Sequence, residues 1–164
     1  KEAEQTVFTP PLLRDGSSFF ERSSDETTSG TTTENLYTYT LPAGSLADDG
    51  DKIQVEYAGI YTANTNQKRL QPKFGTNVLI TGDTTNASAT DWYVRYYLIR
   101  VSNTVVRYAV EFGTNADQAT IDTGEITGLD LAANTYAIDL DGRTVTSLGE
   151  LTAKLGYGMA IPAS

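Results

Sequence analysis

Cysteine and histidine are both absent from this sequence of 164 residues. Without histidine there is no Ser-His-Asp triad, no histidine general base and no histidine metal ligand. Without cysteine there is no thiolate nucleophile, no disulfide and no cysteine-bound zinc. These absences remove most of the side chains that common enzymes use, and we therefore expect a protein that is not an enzyme.

Long apolar runs and positive charge are also scarce. No run approaches the roughly 18 apolar residues that a membrane-spanning helix needs. Acidic residues outnumber basic ones by 21 to 12, and the resulting net charge of −9 repels nucleic-acid phosphates and anionic lipid. The one small basic cluster, Lys68, Arg69 and Lys73, is typical of a solvated strand face. We predict binding to neither nucleic acid nor a membrane.

Hydrophobic residues are plentiful enough for one packed core. They make up 39% of the chain and include 10 tyrosines and 5 phenylalanines. A chain of this length is typical of a single domain. The sequence begins at Lys1 rather than at methionine, and we expect upstream residues to have been removed.

The first 33 residues differ in pattern from the rest. Two short apolar groups lie there among polar residues without lasting periodicity, and residues 23–33 (SSDETTSGTTT) have the composition of a linker. We predict an extended N-terminal arm and polar linker over residues 1–33 and a folded domain over residues 34–164, with a flexible tail as the alternative. Because burial of a large apolar side chain contributes roughly 1.5–3 kcal/mol, we expect the arm to dock on its own domain or on a neighbour. The predicted contact residues are Phe8, Leu12, Leu13, Phe19 and Phe20.

From residue 35 onward, apolar residues recur at every second position, which is the period of a half-buried β-strand. Tyr37, Tyr39 and Leu41 alternate with threonines, and the same alternation continues from Leu151 to Ile161. Turn residues follow at strand-length spacing. About eight strands are predicted. They extend over more residues than the roughly 100 of an immunoglobulin sandwich, which favours a jelly roll. We predict an all-β fold, an antiparallel jelly-roll β-sandwich of about eight strands with an extended N-terminal arm.

Residues 91–101 (DWYVRYYLIRV) form a predicted strand that is apolar on both faces. A turn and a second alternating segment follow, which favours a hairpin. Two-sided burial is expected where a sandwich strand is also covered by another subunit or by the arm. We therefore predict that Tyr93 and Tyr97 bind a partner, with core packing as the alternative, and we expect Trp92 in the core. Pro72 predicts a sheet edge or a bulge in its own strand.

Paired carboxylates are the realistic catalytic arrangement that remains. Most acidic residues lie at outward strand positions or in turns, where a solvated face explains them. The sequences Asp48-Asp49-Gly50-Asp51 and Asp139-Leu140-Asp141-Gly142 resemble parts of calcium loops, but the full set of EF-hand ligands is missing. We predict no catalytic residues, no cofactor and no metal site, with a structural cation as the alternative. The carboxylates considered are Glu56, Glu111, Asp122, Glu125, Asp130, Asp139, Asp141 and Glu150.

Residues 35–80 resemble a module that is common in bacteriophage structural proteins. The resemblance lies in a Tyr-Thr-Leu-Pro-Ala-Gly segment, a later Gly-Asp, an Ala-Gly pair, an Asn-Thr-Asn segment, a lysine and a Phe-Gly pair, and it extends over about residues 34–161. Pro72 and Asn77 depart from the pattern. The matching residues are Tyr39-Thr40-Leu41-Pro42-Ala43-Gly44, Gly50-Asp51, Ala58-Gly59, Asn64-Thr65-Asn66, Lys68 and Phe74-Gly75.

The resemblance implies a trimeric jelly roll on the virion surface, assembled in the host cytoplasm, without catalytic residues. Proteins of this type are capsid decoration (cement) proteins, head fibres, and tips of tail fibres or spikes. We expect a decoration or head-fibre protein that stabilises the capsid through its N-terminal arm and subunit contacts. The alternative is a tail-fibre or spike tip that binds a host-surface glycan or protein through loops 82–91 and 113–118. A carbohydrate-active enzyme or lectin and a non-viral filament protein are further alternatives.

Overall fold

The computed structural model describes residues 18–163, which form β-strands and contain no helix. Within these residues there is accordingly no helix able to cross a membrane. The strands are β1 (Ser18–Arg22), β2 (Glu26–Thr27), β3 (Glu34–Leu41), β4 (Lys52–Tyr61), β5 (Lys68–Phe74), β6 (Asn77–Val78), β7 (Gly82–Thr84), β8 (Asp91–Ser102), β9 (Val105–Thr114), β10 (Thr120–Thr127), β11 (Tyr136–Thr144) and β12 (Leu151–Ile161).

The strands form two antiparallel sheets that pack face to face. The seven-stranded sheet has the order β1-β12-β4-β8-β9-β10, and β2 also pairs with β12. The five-stranded sheet has the order β3-β11-β5-β6, and β7 also pairs with β5. Buried side chains from both sheets make one continuous core, as in other β-sandwiches.

The pairs are nested along the chain in the manner of a jelly roll. The first strand pairs with the last (β1 with β12), β3 pairs with β11, β4 with β8, and β5 with β7. Each step inward along this series moves to the other sheet, which gives the two interleaved Greek keys of that fold. The predicted jelly-roll sandwich is confirmed, but the described residues form twelve strands in place of about eight, because short strands add to both sheets and β9 and β10 extend the larger sheet beyond β8.

The long strand β8 shows how alternation sets the two faces. Trp92, Val94, Tyr96 and Leu98 point into the core and are at most 2% exposed. Tyr93 and Tyr97 therefore point to the opposite, outer side of the seven-stranded sheet. The predicted hairpin with the next strand is also observed, since β8 and β9 pair along nearly their whole length.

The sheet begins earlier than the predicted domain boundary at residue 34. Strand β1 pairs with β12, with Glu21 opposite Tyr157, and β2 pairs with the same strand near Ala153. The polar segment between β2 and β3 is also held in place, because Thr28 is buried and its N–H donates to the Leu151 carbonyl oxygen at 3.0 Å. Residues 18–33, assigned to the arm from the sequence, are thus integrated in the sandwich.

Phe19 and Phe20 lie in the core of this chain and not on an exposed contact surface. They are 5% and 6% exposed, and both rings pack near Tyr39. Strand β12 makes room for them at Gly158, where a Cβ atom would lie 2.5 Å from the Phe20 ring and 2.6 Å from the Phe19 ring. The sequence left open whether these residues dock on their own domain or on a neighbour. In the structure Phe19 and Phe20 pack on their own domain. Phe8, Leu12 and Leu13 lie outside the described residues.

Pro72 lies in an inner strand, although a sheet edge or a bulge was predicted. It is buried opposite Leu140 of β11. On its other side β5 pairs with two short strands, β6 and β7, and Pro72 lies between the two paired segments. Proline is tolerated there because no neighbouring strand requires the missing N–H, and its carbonyl oxygen accepts from Leu79 N at 2.9 Å.

Candidate functional site

The outward surfaces of the two sheets differ in chemistry. The five-stranded sheet presents paired polar groups, such as the Arg69–Asp83 ion pair at 2.7 Å and the Lys73–Asp141 ion pair. The seven-stranded sheet presents a surface rich in apolar groups, which we call the outer face and define by the outward residues of β4, β8, β9, β10 and β12. Among the described residues, seven large hydrophobic side chains are exposed, and five of them belong to this sheet: Ile60, Ile99, Val101, Ile121 and Leu155.

Tyr93 lies flat on the outer face. It stands opposite Gly113 of β9, and a Cβ atom at that glycine would lie 2.5 Å from the tyrosine ring. Its hydroxyl donates to Glu111 Oε1 at 2.7 Å, and this hydrogen bond, together with burial, raises the pKa of the phenol. Because Gly113 has no side chain, the Tyr93 ring can lie on the sheet surface above it, and the hydrogen bond to Glu111 holds the ring there. Tyr93 is one of the two tyrosines predicted to bind a partner.

Tyr97 borders a shallow groove on the same face. The groove has a volume of about 150 Å³ and is lined by Arg95, Tyr97, Ala109, Glu111 and Ile121, among others. Ala109 lies directly opposite Tyr97, and its small side chain leaves the space between the tyrosine and Ile121. Ile121 is 70% exposed at the far side. The groove offers an apolar contact with two charged side chains, Arg95 and Glu111, among its lining residues.

Two ion pairs lie on the outer face. Arg95 Nε lies 2.8 Å from Glu56 Oε1, and Arg107 Nε lies 3.0 Å from Glu125 Oε2. Exposed pairs of this kind contribute little to folding stability. They do reduce the desolvation penalty when a second surface covers the apolar side chains between them. The outer face is therefore suited to a protein contact of mixed apolar and polar character.

Two other aromatic side chains of this sheet, Trp92 and Tyr61, lie in the core. Trp92 is buried, as expected, and its Nε1 donates to the Ile60 carbonyl oxygen at 3.2 Å. Tyr61 is also buried, so it is not available to a partner in this structure. Periodicity alone could not separate Trp92 from Tyr93 and Tyr97, because β8 is apolar on both of its faces.

The two loops considered for receptor binding are joined into one surface. Asp117 accepts hydrogen bonds from Thr84 Oγ1 at 2.9 Å and from Asn86 Nδ2 at 2.8 Å. Asn115 Oδ1 accepts from the backbone N–H of Thr90 at 2.9 Å. Loops 82–91 and 113–118 thus form one hydrogen-bonded loop surface at one end of the sandwich.

Replacing Asp117 with alanine should loosen both loops together. Hydrogen bonds from Asn86 and then from Thr84 lower the pKa of the Asp117 carboxyl. Its stabilising effect is therefore complete above the ordinary carboxyl pKa and is lost as pH falls through the lowered value. We expect amide hydrogen exchange in residues 82–91 and 113–118 to rise at least about tenfold in Asp117→Ala at pH 7. Unchanged exchange in either loop would contradict the proposed coupling.

The aspartates that resemble parts of calcium loops have protein partners. Asp51 Oδ2 accepts from the N–H groups of Ala47 and Asp48 at 2.9 Å each, and its Oδ1 accepts from Ala163 N at 3.0 Å. Asp141 pairs with Lys73. Over residues 18–163, no three Asp or Glu side chains form a group that could hold a metal ion. These carboxylates fix turns and cross-strand contacts.

Comparisons with known proteins give one distant structural likeness. No protein-family model matches the sequence, and a comparison with curated proteins gives no significant match. Among solved structures, one match is the CBM2 module of the evolved Dit of Lactobacillus casei BL23 phage J-1. The match covers 89% of this chain and 80% of that chain, with 7% sequence identity and a TM-score of 0.41. A likeness this distant says nothing about ligand or partner.

Proposed function

We propose that this chain is a structural protein of a tailed-bacteriophage virion, a capsid decoration (cement) or head-fibre protein that acts as a homotrimer on the virion surface. The observation that carries the proposal is the concentration of exposed hydrophobic side chains and two tyrosines on the outer face. The sequence resemblance of residues 34–161 supplies the link to phage virions.

A decoration protein binds only if the free energy gained from its contacts exceeds the cost of the entropy that it loses on binding. Apolar surface removed from water contributes about 25 cal/mol per Å², and flat aromatic residues such as Tyr93 provide contact area at low entropic cost. Binding to the assembled shell stabilises it by mass action, and many copies multiply the effect. We assign the subunit or shell contacts to the outer face, and a second contact to Phe8, Leu12 and Leu13 of the N-terminal residues 1–17.

A tail-fibre or spike tip that binds a host-surface glycan or protein is the second candidate. The observation in its favour is the loop surface formed by residues 82–91 and 113–118, since binding sites are often built on loops that a rigid scaffold positions. In that case a host receptor would contact the loops, and the outer face would hold the trimer together.

Two measurements on the purified chain test the proposal. Light scattering gives the molar mass, and co-sedimentation with capsids stripped of accessory proteins gives shell binding. We expect a trimer that rebinds the stripped shell. A trimer that ignores capsids but coats host cells would support receptor binding instead, and a monomer that binds neither would contradict both candidates.

A further inference from the structure

Two buried polar side chains, Lys68 and Glu150, and the half-buried Asn64 lie where the loop between β4 and β5 meets the start of β12. Lys68 is 0% exposed, and its Nζ lies 2.7 Å from Asn64 Oδ1 and 2.9 Å from the Asn64 carbonyl oxygen. Asn64 Nδ2 in turn donates to Glu150 Oε1 at 2.6 Å. Glu150 is 6% exposed. The carboxamide of Asn64 is thus hydrogen-bonded to a buried amine on one side and to a buried carboxylate on the other.

We propose that Lys68 and Asn64 become joined by an intramolecular isopeptide bond, formed autocatalytically with Glu150 as the proton shuttle. The nucleophile would be Lys68 Nζ, the electrophile would be the side-chain carbonyl carbon of Asn64, and the leaving group would be ammonia. This modification is independent of the proposed virion function.

The hydrogen bonds place the nucleophile beside the carboxamide and the carboxylate beside the leaving group. The Lys68 amine already contacts the carbonyl group that it would attack, so only a small shift separates the hydrogen bond from attack on carbon. Glu150 Oε1 contacts Nδ2 of Asn64, the atom that must be protonated to leave. Asn66 Nδ2 donates to the same Glu150 oxygen at 2.7 Å and fixes its position. Glu150 Oε2 is buried without a hydrogen-bond partner among the described residues, which leaves it free to hold a proton.

Burial also favours the reactive form of the amine. Desolvation lowers the pKa of Lys68, and the negative charge of Glu150 opposes this effect. Transfer of a proton from the ammonium to the carboxylate replaces two buried charges with a neutral amine and a neutral acid. The neutral amine is the nucleophile in reactions of lysine with carbonyl groups.

The reaction balances without an external reagent. In the first step Glu150, which lies on the other side of the Asn64 carboxamide, approaches the Lys68 ammonium and takes one proton from it. The amine then attacks, Glu150 passes its proton to Asn64 Nδ2, and the carboxylate takes a second proton from Lys68 Nζ. The Nζ–Cγ bond forms as the Cγ–Nδ2 bond breaks. The products are a neutral secondary amide, one ammonia molecule and a protonated Glu150, and nothing is oxidised or reduced.

Intact mass spectrometry of the purified full chain tests the bond. We expect a mass lower than that of the sequence by about 17 Da, the mass of one ammonia molecule. In denaturant, an amine-specific label should then modify Lys73 but not Lys68, and trypsin should fail to cleave after Lys68. A mass equal to that of the sequence, with Lys68 labelled, would overturn the proposal.

Two variants locate the chemistry. Glu150→Gln keeps the size of the side chain but cannot shuttle the proton, so it should retain the ammonia and a labelled Lys68. Glu56→Gln changes a half-buried carboxylate of the outer face, away from Lys68, and should show the same ammonia loss as the unaltered chain. Ammonia loss with Lys68 still labelled would place the modification elsewhere, as in a succinimide, and would contradict the proposal. Full ammonia loss in Glu150→Gln would contradict the proton shuttle.

Discussion

A chain that begins at Glu34 will fail to fold stably, whereas a chain that begins at Ser18 will keep the stability of the full sequence. The first truncation removes β1 and β2 and leaves the β12 edge without its partners. It also removes Phe19 and Phe20 from the core, and loss of a buried phenylalanine ring costs about 3–5 kcal/mol. Two such losses approach the whole stability of an ordinary domain.

Urea unfolding followed by circular dichroism measures the difference between the two truncations. The free energy of unfolding of the chain from Ser18 should equal that of the full chain within about 0.5 kcal/mol. Equal stability of the chain from Glu34 would show that β1 is dispensable. The comparison also guides the study of shell binding, because a deletion that tests the role of residues 1–17 must end before Ser18.

The second large effect is expected for Gly59→Ala in β4. A Cβ atom at this position would lie 2.1 Å from the carbonyl oxygen of Thr152 and 2.4 Å from the Trp92 ring. Neither neighbour can move freely, since one is backbone of the adjacent strand and the other is a buried ring. Forcing extra volume into a packed core typically costs 1–3 kcal/mol, and we expect about 3 kcal/mol here. Trp92 is the single tryptophan, so its fluorescence reports both the unfolding and the displaced ring.

Gly30→Ala is the matched control for Gly59→Ala. At Gly30 the added methyl group would meet the end of the Glu34 side chain, 2.8 Å away, which can rotate aside. We expect a change below about 1 kcal/mol and an unchanged tryptophan spectrum. A similar loss of stability in both variants would mean that contact with Trp92 and Thr152 is not the cause.

Much of the fold can be predicted from the sequence because alternation is a local property. The buried series from Trp92 to Leu98 and the strands around Ile53 and Leu151 follow from the period of two. Lys68 carries a similar signal. It has the same parity as Leu70 and Phe74 in β5, which places its side chain inward, although a lysine is more often assigned to the solvated face.

Other features depend on partners that are far away along the chain. The place of Phe19 and Phe20 is set by Gly158 in the last strand, and nothing near the two phenylalanines indicates this. Which aromatic residues of β8 form the outer face depends on which side the five-stranded sheet covers. The hydrogen bond between Asn64 and Glu150 joins a loop to the start of β12. The two residues are far apart in the sequence, and the jelly-roll fold brings them together.

The role of the outer face is tested most directly by co-sedimentation of Ile121→Glu and Leu148→Glu with stripped capsids. Both side chains are similarly exposed, at 70% and 63%, so neither change should reduce folding stability by more than about 0.5 kcal/mol. Ile121 borders the groove of the outer face, whereas Leu148 lies in the loop between β11 and β12. We predict that Ile121→Glu weakens shell binding at least about tenfold, since a charge would be buried in the contact, and that Leu148→Glu binds like the unaltered chain. Equal binding by both variants would contradict the assignment of the outer face as the contact surface.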